Sequence, residues 1–115
     1  MSRIDDIFTR HREAGTRALM PFLTGGFPDL EQTRRALLGM GDAGASIVEI
    51  GFPYSDPIAD GPVIQASYTR ALDAGMTLTN MFDIVAEFSK SYAMPLLAMA
   101  SYSLIFRSGI EAFVK

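Results

Sequence analysis

The stretch Ser46-Ile47-Val48-Glu49-Ile50-Gly51 runs into Phe52-Pro53-Tyr54-Ser55-Asp56-Pro57-Ile58-Ala59-Asp60-Gly61 and then Pro62, which reads as strand, loop and helix start. In an extended strand Val48 and Ile50 share one face, while Ile47, Glu49 and Gly51 share the other. Gly and Pro punctuate the loop, and Pro62 suits the first turn of a helix, where no N–H is needed. A carboxylate therefore sits inside a short apolar strand, and Asp60 closes the loop that follows. A buried carboxylate is costly unless paired, and proteins that keep one usually employ it as an acid or base.

The same strand–loop–helix rhythm extends in both directions. Ser2 with Asp5 reads as a capping box opening a helix whose Ile4, Ile7, Phe8 and His11 share a face, ending near Gly15. Ala18–Leu23 reads as a buried strand stopped by Thr24-Gly25-Gly26-Phe27-Pro28. Asp29 and Gln32 open a second helix with Leu30, Ala36, Leu37 and Met40 as its apolar stripe. Beyond the quoted stretch, a helix from Pro62 runs to about Ala74. Another, capped by Thr77 or Thr79, runs through Tyr92. Pro95–Ala100 reads as a third strand, Ser101–Ser108 as loop or short turn, and Gly109–Lys115 as the start of a helix. Strands alternating with helices, and no hairpin signal, imply a parallel sheet covered by helices through right-handed crossovers.

Composition narrows the function classes. The 115 residues are 49% hydrophobic and 20% charged, with a formal net charge of −3. That excludes disorder, and with Arg34-Arg35 as the densest basic cluster it favours neither nucleic acid nor an anionic membrane. The chain has no cysteine and one histidine, so disulfides, thiolate metal sites and a His-based metal site are not expected. No apolar run reaches the roughly 18 residues of a membrane span. Asp5 and Asp6 stand where a secretory signal would be apolar, so a cytoplasmic location is expected.

In a parallel α/β fold the reactive groups gather at the carboxyl ends of the strands. Phe22 and Thr24, Glu49 and Asp60, and Ser101 to Ser103 fall at three such ends. Two carboxylates, several hydroxyls and an aromatic wall suit proton transfer on a small planar substrate. Each residue also has a plainer reading. Asp60 could cap the Pro62 helix, Glu49 could face a surface Lys or Arg, and Asp56 could be a solvated turn residue. Tyr102 could be packing, and Thr24-Gly25-Gly26 a tight turn.

Val48–Pro62 closely resembles the signature of the tryptophan synthase alpha subunit family: apolar-Glu-apolar-Gly, an aromatic, Ser-Asp-Pro, then Ala-Asp-Gly-Pro. Pro21–Pro28, Ile64-Gln65, Arg70-Ala71, Gly75-Met76-Thr77 and Phe106 with Gly109-Ile110 and Phe113 extend the resemblance over essentially the whole chain. It implies a (βα)8 TIM barrel that cleaves indole-3-glycerol phosphate to indole and glyceraldehyde 3-phosphate. It also implies a beta subunit partner, in an alpha2beta2 complex, that carries pyridoxal phosphate, with no cofactor on this chain. Glu49 would be the catalytic acid/base, and Asp60 the carboxylate that pairs with the indole N–H. Phe22, Thr24 and Tyr102 would contact substrate, and Pro53 and Asp56 would lie on the loop that meets the beta subunit.

Two departures qualify the match. The third strand ends Met99-Ala100-Ser101-Tyr102-Ser103-Leu104, placing Ser101 where the family usually has a substrate-side Tyr. A (βα)8 barrel takes about 250 residues, so residues 1–115 are expected to form one unit. It comprises an N-terminal helix and the first three βα units, without strands four to eight or the phosphate-binding loops after strands seven and eight. Such a piece by itself is expected to be inactive and to self-associate. A non-catalytic partial-barrel interaction module and a stand-alone indole-glycerol-phosphate lyase are the alternative readings.

Overall fold

Pro21 has no N–H to give a strand ladder, and the first strand accordingly starts one residue later. In the computed structural model, which describes residues 2–115, β1 is Phe22–Thr24, shorter than the expected Ala18–Leu23 and reaching into Thr24. The segment before it stays extended beside its neighbour. The Leu19 carbonyl accepts from Ser46 N–H at 2.9 Å, and that of Pro21 from Glu49 N–H at 2.9 Å. The other strands are β2, Val48–Gly51, and β3, Leu96–Met99.

The three strands form one parallel sheet in the order β1-β2-β3. Register sets Phe22 beside Glu49 and Glu49 beside Leu97, then Thr24 beside Gly51 and Gly51 beside Met99. By strand alternation these six residues share one face. Val48 and Ile50 point the other way, into a core with Leu37, Ile84 and Phe88.

Helices build that core. α1, Arg3–Glu13, has the Ser2–Asp5 capping box; α2, Leu30–Asp42, is capped by Asp29, whose carboxylate accepts from Gln32 N–H. α3 is Pro62–Asp73, and α4, Leu78–Ser91, begins at a Thr77–Asn80 capping box. Where a loop or short turn was expected, Tyr102–Ser108 forms helix α5. The Ser101 hydroxyl caps it, and the Ser101 carbonyl accepts from Leu104 and Ile105. Seven residues are too few for an apolar period to declare itself. α6, Ile110–Val114, follows the positive-φ Gly109.

α1 docks at the entering end of the strands through the single histidine. His11 bridges the Thr16 hydroxyl at 2.8 Å and the Ser46 hydroxyl at 2.9 Å. At this end Ile47 is only 1% exposed. Farther along the same face the sheet is open, and Leu97 is 39% exposed. Among the described residues β1 and β3 are both edge strands, and no helix is long and apolar enough to cross a membrane.

Candidate active site

α3 reaches back over the carboxyl ends of the strands. The Thr24 hydroxyl at the end of β1 lies 2.7 Å from that of Ser67, which also donates to the Ile64 carbonyl at 2.8 Å. The next residue, Tyr68, directs its ring toward Gly51, the last residue of β2. A Cβ on Gly51 would stand 2.8 Å from the Tyr68 hydroxyl oxygen and 2.8 Å from Cζ of Phe22. Only a glycine leaves room for both rings.

Burial pushes the Tyr68 phenol up to about 12, helped by the negative charges of Asp60 and then Glu49. One hydroxyl thus feels both carboxylates. Asp60 and Tyr68 line a cleft of about 450 Å³, with Asp56, Met99, Ser101 and Ser103 on its other sides. Glu49 stands on the same sheet face, two residues before Gly51, beside Phe22 and Leu97. It is half-buried rather than enclosed, because that face is open. Among the described residues it enters no ion pair, so the reading in which it faces a surface Lys or Arg is not realised.

Nor is the helix-cap reading of Asp60. α3 is capped at Gly61 without a side-chain hydrogen bond, and Asp60 contributes its backbone carbonyl to Gln65 Nε2 at 2.7 Å. Its carboxylate remains available to the cleft.

The other expected site residues are placed differently. Phe22 is half-buried against Gly51. Thr24 is 6% exposed and its hydroxyl is engaged by Ser67, outside the cleft lining. Tyr102 opens α5 with 66% of its surface exposed, while its neighbours Ser101 and Ser103 line the cleft. Asp56 is exposed on the loop, whereas Pro53 is buried. Among the described residues no three His, Asp or Glu side chains gather to hold a metal.

Tyr68 was not singled out from the sequence. The available signal was helical phase, since Ile64, Ser67, Tyr68 and Ala71 fall on one side of the Pro62 helix. In the structure Ser67, Tyr68 and Ala71 are its buried residues.

Comparison with known proteins identifies the family. The family model for the tryptophan synthase alpha chain matches residues 8–115. The tryptophan synthase alpha chain of Rhodopirellula baltica is 47% identical, over 99% of this chain and 42% of its own length. That of Rippkaea orientalis is 44% identical, over 100% of this chain and 43% of its own. A crystal structure of tryptophan synthase subunit alpha from Legionella pneumophila superposes with a TM-score of 0.92 at 32% identity, covering 98% of this chain and 44% of that one. A structure of tryptophan synthase from M. tuberculosis, in its aminoacrylate-bound form, gives 0.91 at 30% identity, covering 98% and 46%. The chain spans less than half the length of these relatives. It belongs to the tryptophan synthase alpha chain family, and its three parallel strands correspond to the N-terminal part of that family's TIM barrel.

Proposed function

We propose that this chain supplies the acid–base groups of a carbon–carbon lyase that cleaves indole-3-glycerol phosphate to indole and glyceraldehyde 3-phosphate. The observation that supports the reading is Tyr68, which lines one cleft with Asp60 and whose phenol is influenced by the charges of both Asp60 and Glu49. Two carboxylates on one rim give the reaction what it needs. Glu49 donates a proton to the ring carbon that bears the side chain. Positive charge then grows at the indole nitrogen, and Asp60 accepts the N–H hydrogen bond that stabilises it. As the carbon–carbon bond breaks, its electrons return to the ring. The side-chain hydroxyl gives its proton to Glu49 and becomes the aldehyde. Glu49 ends protonated, as it began. Phe22 walls the indole.

The chain is assigned no cofactor. Pyridoxal phosphate belongs to the beta subunit, for which the loop carrying Asp56 and the 87%-exposed Ile58 is the docking surface. Phosphate binding energy orients the reacting centre in this reading, and its site lies in elements that an open three-stranded sheet does not provide. The test is a chimera in which residues 1–115 replace the matching segment of the full-length Rhodopirellula baltica relative. The chimera is expected to release indole from indole-3-glycerol phosphate, and the 115-residue chain alone is not. A folded chimera without indole release, or turnover by the chain alone at the rate of a full-length relative, contradicts the reading.

A further inference from the structure

Tyr68 is 3% exposed, yet its hydroxyl has no hydrogen-bonding partner among the described residues. Every fully enclosed side-chain polar atom there has a partner, so the small exposed part of Tyr68 includes its hydroxyl, and Tyr68 lines the cleft beside Asp60. A hydroxyl open to the cleft on an otherwise buried ring is placed to exchange water for a ligand atom. The geometry also sets the chemistry of that atom. An ionised carboxylate accepting the ligand's N–H, the role proposed for Asp60, only accepts hydrogen bonds. The Tyr68 phenol, kept protonated by burial and by the Asp60 and Glu49 charges, has an O–H to donate to a ligand oxygen. Between them they suit a ligand presenting a donor to Asp60 and an oxygen to the phenol.

We infer that Tyr68 is a substrate-contacting residue whose hydroxyl donates a hydrogen bond to a side-chain oxygen of the ligand, holding that side chain between Glu49 and Asp60. This rests on the functional reading above. The contact comes from α3 rather than from a strand end, and the Phe22 ring beside it at Gly51 restricts where the oxygen can sit.

Two probes are compared on the chimera with the full-length relative, with and without Tyr68→Phe: the KM for indole-3-glycerol phosphate, and the inhibition constant of indole-3-propyl phosphate, which lacks both side-chain hydroxyls. Tyr68→Phe is expected to weaken the hydroxylated ligand about tenfold, as for loss of one hydrogen bond, and to leave the hydroxyl-free ligand within about twofold. Retained binding of the second ligand also shows that the variant is folded. Equal losses for both ligands, or no loss for either, overturn the assignment of Tyr68 while leaving the functional reading standing. A folded chimera with wild-type Tyr68 that binds neither ligand overturns the functional reading and this inference with it.

Discussion

The hydroxyl oxygens of Thr24 and Ser67 lie 2.7 Å apart, joining the last residue of β1 to α3 one residue before Tyr68. This bond fixes the height of α3 over the carboxyl end of the sheet. Thr24→Val removes it while conserving shape. Ser67 keeps its bond to the Ile64 carbonyl, so no hydroxyl is stranded, and the cost is at the low end, about 1 kcal/mol. Urea unfolding of the two proteins checks this; an unchanged midpoint would mean that the bond does not hold α3.

Gly51→Ala places a methyl 2.8 Å from both the Tyr68 hydroxyl oxygen and Phe22 Cζ. Neither ring has a flexible stem to swing aside, so overpacking is expected to cost roughly 1–3 kcal/mol. The near-ultraviolet circular dichroism of the aromatic residues should change with it. A variant with wild-type stability and an unchanged aromatic spectrum would show that the rings do not converge there.

Alkaline stability reports Tyr68 directly. Its phenol ionises at about 12 when folded, against 10.0 for the ordinary group, because of burial and the neighbouring Asp60 and Glu49 charges. The neutral form is favoured by folding, so the associated stability is fully present below pH 10 and is lost as pH rises toward 12. Tyr68→Phe should flatten that decline. It should not abolish it, since the hydrogen bond from the Tyr92 phenol to Asp42 also raises the Tyr92 phenol. Identical decline in both proteins over this range would contradict the placement of Tyr68.

Much of this arrangement is legible in the residues themselves. The alternation around Glu49 sets its face of β2, and the capping boxes at Ser2 and Thr77 mark where α1 and α4 begin. Strand ends were less legible, because carbonyls before Pro21 accept hydrogen bonds without forming a regular ladder. α5, expected as loop or short turn, is too short to show an apolar period, and it forms a helix because its serines do not break one and Ser101 caps it. The site divides the same way. Glu49 and Asp60 stand out as carboxylates in an apolar strand and its exit loop. Thr24 looks like a rim hydroxyl until Ser67 is found against it. Tyr68 looks like one more aromatic on an apolar helix stripe, and only packing of α3 over Gly51 brings it to the carboxylates.

The open sheet has a consequence in solution. β1 and β3 each present one unpaired side, and Leu97 at 39% and Phe106 at 68% exposure leave apolar surface uncovered. Unpaired edges recruit other chains. Light scattering on the 115-residue chain at micromolar concentration should find oligomers or aggregates. A clean monomer with a cooperative thermal transition would show that these edges are satisfied within the chain.

The central claim, that Glu49 moves the proton, is tested most directly by the steady-state kinetics of Glu49→Gln in the chimera with the full-length relative. Glutamine keeps the shape and removes the titratable group, so turnover of indole-3-glycerol phosphate should fall by about 100-fold to 10,000-fold with substrate affinity nearly unchanged. Turnover that survives the substitution, or affinity lost while turnover is kept, would contradict the account.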